Sequence, residues 1–81
     1  MLSKLKTGKS YVGVKQSVRA IRDGRADCVY VAEDADAAVT RPVVQLCAEI
    51  GIEVVSVPTM RELGLACDID VGAAVAVLLK D

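Results

Sequence analysis

Three runs of apolar and β-branched residues, separated by segments of helical periodicity, constrain this chain more than any other feature. The runs cover 28–32, 52–57 and 73–79, and they lack a clean alternation of apolar and polar side chains. Such runs are typical of strands that are covered on both faces. A brief fourth strand is predicted at 11–12. Because strands alternate with helices along the chain, we expect an α/β fold in which helices sandwich a small sheet.

The first long helix is predicted directly after Gly13. Val14, Val18 and Ile21 recur there at i, i+4 and i+7, and Gly24 stands where this helix would end. A helical turn is also expected at 2–5.

Two further helices are predicted between the later strands. One runs from about 40 to 50, with Pro42 in its first turn and Gly51 as its terminator. Its inward side chains are expected to be Val43, Val44, Leu46, Cys47 and Ile50. The other begins with a capping box, in which the Thr59 hydroxyl and the Glu62 carboxylate each satisfy a free backbone donor.

The charges of the chain are segregated although their total is small. The 81 residues, 53% of them apolar, suffice for one domain spanning 1–81 and not for two. The formal net charge is -1, but residues 1–25 hold seven basic residues and one acidic residue, a net charge of +6, and the remainder carries -7. Such asymmetry points to a nucleic-acid or membrane-surface partner.

Other classes of protein are disfavoured by composition. The chain has no His, and its three cysteines lie in apolar runs, which predicts buried thiols rather than a disulfide framework or a zinc site. No signal peptide or bilayer-spanning segment is predicted, so we expect a cytoplasmic protein with no membrane partner. The segment 7–10 ends like a phosphate-binding loop, but the glycine that the motif requires is replaced by Ser3.

Three carboxylates, Glu33, Asp34 and Asp36, follow the first long strand, at an edge where α/β sheets often bind ligands. One interpretation is a Mg²⁺ site for phosphoryl transfer. The other is that the acids cap the next helix and favour its positive end. We favour capping, because no nucleophile with a supporting base accompanies the acids.

The helix after Gly13 carries a basic face. Lys15, Arg19 and Arg22 share it at i, i+4 and i+7, with Gln16 beside Lys15. A basic face opposite an apolar one is ordinarily just solvated. Here the helix starts immediately before these side chains, and its free N–H groups point the same way. This combination suits phosphate and base edges.

A second candidate segment is the loop 66–73. It places Ile69 and Val71 on either side of Asp70, ahead of the small Gly72. Apolar side chains in a loop often plug the core. They also grip unstacked bases in sequence-selective RNA-binding proteins.

Four segments occur in an order that identifies a family. They are GVKQSVR at 13–19, VAEDAD at 31–36, VPT at 57–59 with LGLAC at 63–67, and IDVGAA at 69–74. Together they resemble the kink-turn RNA-binding ribosomal proteins of the L-seven-Ae and L-thirty-e type, in particular their short bacterial YbxF-like branch. The resemblance implies a three-layer α/β/α sandwich with a small mixed four-stranded sheet.

The resemblance also implies a function and a site. Relatives recognise kink-turns, which are helix–bulge–helix RNA motifs with tandem sheared G·A pairs, and they are not enzymes. The positions that match the helix entering the RNA groove are Gly13, Lys15, Gln16 and Arg19. Those that match the cradle of a flipped-out bulge nucleotide are Asp36, Ile69, Asp70 and Val71, with Thr40 and Met60 as weaker matches.

This chain departs from the family pattern at the start of that helix. Lys15 and Gln16 stand where archaeal and eukaryotic members usually carry Asn and Glu, and Arg19 stands where they carry Lys. Lys15 donates hydrogen bonds but accepts none, and Gln16 lacks the charge with which Glu pairs to a guanine N–H. We expect kink-turn binding to survive and the individual base contacts to differ.

The resulting hypothesis is a non-enzymatic, ribosomal-protein-like protein that stabilises kink-turns in ribosomal or riboswitch RNA. It would need no cofactor, metal ion or small-molecule substrate. Two alternatives stay open at this point: a protein-interaction module on the same fold, and a Mg²⁺-dependent phosphoryl-transfer enzyme.

Overall fold

The computed structural model describes residues 9–80 of the chain. Its elements in chain order are β1 (Ser10–Val12), α1 (Val14–Arg22), β2 (Ala26–Ala32), α2 (Ala37–Ile50), β3 (Glu53–Val57), α3 (Met60–Ala66) and β4 (Val75–Leu79). Strands and helices alternate as predicted. The helical turn expected at 2–5 lies outside the described residues.

The four strands form one mixed sheet. Their order is β1-β4-β2-β3, with β4 antiparallel to both β1 and β2, and β2 parallel to β3. The strands β1, β2 and β3 therefore end at one edge, where β4 begins. We call this side of the sheet, defined by strand ends and not by the outermost strands, the upper edge. The opposite side, where β4 ends, is the lower edge.

Helices cover both faces of the sheet. On one face, α1 and α2 pack over alternate residues of β2 and β4, and the buried side chains there include Val29, Val77 and Val43. On the other face, α3 contributes Leu63 to a second cluster around Tyr30. The three-layer α/β/α sandwich with a mixed four-stranded sheet is thus confirmed.

The strand β3 differs from its prediction. It is an edge strand, and of its five residues only Val57 is buried, while Glu53 and Ser56 are exposed. Val54 and Val55 are partly buried and pack against the core clusters on opposite faces of the sheet, so coverage on both faces is correct for β2 and β4 and incomplete for β3. An edge strand has a neighbouring strand on one side only, which leaves its outer side open to solvent.

The helix α2 corrects two further expectations. It begins at Ala37, so Pro42 lies in its second turn rather than its first. Val43 and Cys47 are buried, but Val44 is 38% exposed and Ile50 is 50% exposed. Val44 is rotated about 100° from Val43 around the helix axis, away from the sheet. Ile50 is the last helical residue, after which the chain turns through Gly51 at a φ of 89°.

The three cysteines are free thiols. Cys28 and Cys47 are buried as expected, whereas Cys67 is only partly buried, because it ends α3 at the start of a surface loop. Burial raises the pKa of both the Cys47 and the Cys67 thiols. None of the helices in residues 9–80 has the length and apolar character that a bilayer span requires.

Candidate nucleic-acid interface

Backbone hydrogen bonds at the upper edge bring the start of α1 beside the start of β4. The Gly13 N–H donates to the Val75 carbonyl at 2.8 Å, and the Ala32 N–H donates to the Ala74 carbonyl at 2.9 Å. The first turn of α1, the end of β2 and the loop before β4 are therefore neighbours. Segments more than fifty residues apart in the chain share this edge of the sheet.

A second set of bonds ties α3 to the same edge. The Met60 N–H donates to Asp34 Oδ1 at 2.7 Å, and the Met60 carbonyl accepts from the Ala73 N–H at 3.0 Å. Met60 thus links the segment after β2 to the loop before β4. The loop that carries Ile69 to Val71 is fixed at its far end by this contact.

The N-terminus of α1 has no side-chain cap. Gly13 occupies the N-cap position with a φ of 105°, a conformation that strains any other residue, and open space surrounds the position of its missing Cβ. The first intrahelical bond is from the Ser17 N–H to the Gly13 carbonyl, at 3.0 Å. The three N–H groups between them have no intrahelical partner, and the first turn holds no acid. The positive end of the helix dipole is therefore uncompensated.

The basic face predicted on α1 is present. Lys15, Arg19 and Arg22 are exposed and line a surface groove with a volume of about 450 Å³, together with Gln16, Val18 and Asp23. The groove begins at the uncapped turn and runs the length of the helix. Cationic and amide donors thus line a concave surface that opens next to free backbone N–H groups.

The two apolar side chains of the loop 67–74 differ in their burial, so each of the two interpretations applies to one of them. Ile69 is partly buried and packs against the core cluster that contains Leu63 and Tyr30. Val71 is 69% exposed, and Asp70 is also exposed. Ile69 therefore helps to seal the core, whereas Val71 presents an apolar surface to solvent at the upper edge.

Two of the three carboxylates after β2 are engaged by backbone donors. Asp36 Oδ1 accepts from the Ala38 N–H at 2.9 Å and caps α2, and Asp34 accepts from Met60 at the start of α3. This geometry agrees with the capping interpretation. No three His, Cys, Asp or Glu side chains converge as metal ligands within residues 9–80. Thr40 is buried in α2, and Met60 is partly buried.

The capping box at α3 forms only in part. The Glu62 N–H donates to Thr59 Oγ1 at 3.1 Å, as predicted. The Glu62 carboxylate accepts a hydrogen bond from the Thr59 hydroxyl at 3.4 Å and none from a backbone N–H, so this half of the prediction is wrong. A different acid serves this helix start, because Asp34 accepts from the N–H of Met60, the first helical residue.

Two residues that shape this edge have roles that the sequence pattern does not predict. The pattern predicts Asp34 only as a local cap or metal ligand, whereas its hydrogen-bond partner lies 26 positions away. Gly64 lies inside α3, where the Val71 carbonyl occupies the space that a Cβ would need. A glycine within a helix costs about 1 kcal/mol relative to alanine, and this local cost is the signal that marks it.

Comparison with known proteins identifies the family. The model of the ribosomal protein L7Ae/L30e/S12e/Gadd45 family matches residues 2–81. The chain belongs to this family. An RNA-binding protein of Geobacillus sp. strain WCH70 is 43% identical over 76 residues, which span 94% of this chain and 93% of that protein. The RNA-binding protein YbxF of Geobacillus stearothermophilus is 42% identical over the same shares of the two chains.

Longer proteins also match this chain. The large ribosomal subunit protein eL8 of Halobacterium salinarum is 42% identical over 74 residues, or 90% of this chain and 62% of that protein. The solved structure of a Giardia lamblia 15.5kD RNA binding protein superposes with a TM-score of 0.92 at 26% identity, covering 99% of this chain and 71% of the other. This L7Ae-family member is accordingly a non-enzymatic protein of an RNA-binding, ribosomal-protein-like family.

The family resemblance and the fold expected from the sequence are confirmed by these findings. The Mg²⁺-dependent enzyme considered above is wrong for a member of this family. The individual site residues, from Gly13 to Val71, stay predictions. All of them except Arg19, which lies in the second turn of α1, are at the upper edge of the sheet, and their contacts with a ligand belong to the proposal that follows.

Proposed function

We propose that this protein is a single-domain, cytoplasmic RNA-binding protein that recognises kink-turn RNA and stabilises its bent form. The observation that carries the proposal is the start of α1. Among the helices of residues 9–80, α2 and α3 are capped by side chains, whereas α1 starts at Gly13 with no such cap. The same turn carries exposed Lys15 and Gln16. A ligand that supplies acceptors and negative charge is the partner this turn fits.

The chemistry of the α1 face matches an RNA groove at sheared G·A pairs. Free backbone N–H groups and Lys15 suit phosphate oxygens, and the Arg19 guanidinium suits the O6 and N7 acceptors of guanine. Gln16 both donates and accepts, so it suits an adenine edge. Gly13 leaves room for the RNA to approach the backbone, because no atom from outside its own stretch of chain lies within 4 Å of its missing Cβ.

The loop before β4 supplies the complementary surface. Val71 is the most exposed of the large apolar side chains described, and an unstacked base is a flat apolar partner of suitable size. Asp70 beside it offers a carboxylate that accepts from base amino groups. Ile69 supports the loop from below by packing against the core, and Asp36 contributes by fixing the start of α2 nearby.

The mechanism is a shift in the RNA population. A kink-turn sequence interconverts between an extended and a bent form, and only the bent form presents the G·A groove and the bulge nucleotide together. A protein that contacts both at once favours the bent form by its difference in affinity for the two states. To move an RNA from 1% to 99% bent, this difference must be about 10⁴-fold.

The proposal is tested with a kink-turn duplex labelled at its two ends, in low Mg²⁺. We expect the end-to-end distance to shorten on addition of protein, and the same duplex with its G·A pairs replaced by Watson–Crick pairs to stay extended. An unchanged distance, or equal affinity for both duplexes, would contradict the proposal. The RNA that the protein uses in the cell, ribosomal or riboswitch, is then identified by sequencing what it retains from lysate.

A further inference from the structure

A second cluster of positive charge lies at the lower edge of the sheet, away from the proposed kink-turn site. Lys9 precedes β1, Arg25 precedes β2 and Lys80 follows β4, and these three strands are neighbours. The Leu79 N–H donates to the Lys9 carbonyl at 2.9 Å, and the Lys80 N–H donates to the Arg25 carbonyl at 2.8 Å. The main chain at the three exposed cations is therefore adjacent in space, although up to 71 positions separate them.

An aromatic ring supports the central cation of this cluster. The Arg25 guanidinium lies 5.8 Å from the centroid of the Tyr11 ring, which is 37% exposed. This distance is within the range of a cation–π contact. Within residues 9–80 no carboxylate forms an ion pair with Lys9, Arg25 or Lys80, although Asp23 and Asp27 are close in sequence. The cations are thus available to an external anion.

The lower cluster continues the basic face of α1. The groove on that helix extends from Lys15 to Arg22, a distance of about 10 Å along the axis. Arg25 follows three residues later, and its backbone N–H bonds back to the Ala20 carbonyl at 2.9 Å. Positive side chains therefore follow one another from the uncapped turn at the upper edge to the lower edge.

We propose that this lower cluster binds the phosphate backbone of the RNA stem that continues from the kink-turn. The inference rests on the proposed function, since it needs the RNA to be seated on the start of α1. The chemistry favours a repeating anion, because the cluster consists of three separate cationic side chains and one aromatic ring. A stem that leaves the kink-turn along α1 presents a phosphate row to these cations, which add affinity without reading sequence.

The experiment compares a short kink-turn RNA with versions in which either stem is extended by ten base pairs. The test variant is Arg25→Gln/Lys80→Gln. The matched control is Arg41→Gln/Arg61→Gln, which removes two exposed charges on α2 and α3. We expect the protein to bind one extended RNA about fivefold to tenfold more tightly than the short RNA. The test variant should lose that gain and still bind the short RNA, and its salt slope should fall by about 1.4 to 1.8.

The possible outcomes separate the two proposals. Equal binding of short and extended RNA by the unaltered protein would overturn the stem contact and leave kink-turn recognition intact. Equal losses for the test and control variants would indicate general electrostatic attraction and would also overturn it. If the unaltered protein fails to bend the short RNA, the proposed function itself fails. All four substituted side chains are exposed, so we expect both double variants to fold. Thermal unfolding of each variant checks this expectation.

Discussion

The main-chain carbonyl of Val71 lies against the α-carbon of Gly64, in the space that a Cβ on residue 64 would occupy. Gly64 is buried within α3, and the loop before β4 rests directly on it. The next residue, Gly72, lies close to the Met60 side chain on the same helix. The exposed side chain of Val71 is therefore positioned by backbone packing against α3.

We expect Gly64→Ala to displace this loop. The added methyl group must push the Val71 carbonyl away, and overpacking of this kind costs about 1–3 kcal/mol of unfolding free energy. RNA affinity should fall as well, because Val71 moves. The control is Gly51→Ala, which strains a backbone at φ 89° far from the site and has no neighbour within 4 Å. It should lower the denaturation midpoint and leave RNA affinity unchanged.

The exposed and buried apolar residues of the loop should respond differently to a charge. Val71→Asp should weaken RNA binding and leave the melting temperature nearly unchanged, because the side chain is mostly in solvent. Ile69→Asp should lower the melting temperature by several degrees, because it buries a carboxylate against the core cluster. Calorimetry and RNA titration measure the two effects. A large loss of stability in the Val71 variant would place that side chain in the core.

On a short kink-turn RNA, Arg19→Ala should cost more affinity than Arg25→Ala. A contact with a base edge contributes about 1–3 kcal/mol, whereas a phosphate contact is mainly a salt-dependent contribution. Arg19 lines the groove beside Gln16, and Arg25 lies at the lower edge, where we expect no contact with a short stem. Titrations at two salt concentrations distinguish the cases. Equal losses of RNA affinity in the two variants would mean that the basic residues attract RNA by general electrostatics and not by a specific base contact.

Removal of the Asp34 carboxylate should loosen the start of α3. Asp34→Ala leaves the Met60 N–H without its acceptor, and losses of helix N-terminal acceptors cost about 1 kcal/mol. Asp34→Asn keeps an acceptor oxygen and should restore most of the lost stability. Denaturant unfolding of the two variants provides the comparison. Rescue by asparagine is the result that separates a hydrogen bond from a requirement for charge.

The buried phenol of Tyr30 predicts a loss of stability at high pH. Burial, followed by the hydrogen bond to Cys28, raises the pKa of Tyr30 from 10.0 to about 12. Below pH 10 the phenol is neutral in both the folded and unfolded states, so its contribution to stability is fully present. Between pH 10 and 12 only the unfolded state ionises, and the unfolding free energy falls by about 1.4 kcal/mol per pH unit. Tyr30→Phe should remove this part of the pH dependence in denaturant titrations.

Much of this architecture follows from local sequence. The apolar runs of β2 and β4, the period of Val14, Val18 and Ile21, and the glycines after α1 and α2 predict the α/β order, because backbone sterics and side-chain periodicity act over a few residues. The basic face of α1 follows from the same spacing. The family segments predict that the start of α1 and the loop before β4 act together.

Tertiary structure decided the remainder. Strand order, rather than composition, decides which strand is outermost in the sheet. The apolar residues of that strand are the ones that stay partly exposed. The bond from Met60 to Asp34 and the contact between Val71 and Gly64 join residues distant in sequence, so no local pattern encodes them. The lower cluster arises in the same way, because strand pairing brings Lys9, Arg25 and Lys80 together. The sequence determined where helices and strands form and which of their faces are apolar or basic. Packing determined which of those faces are buried and which stay exposed to a partner molecule.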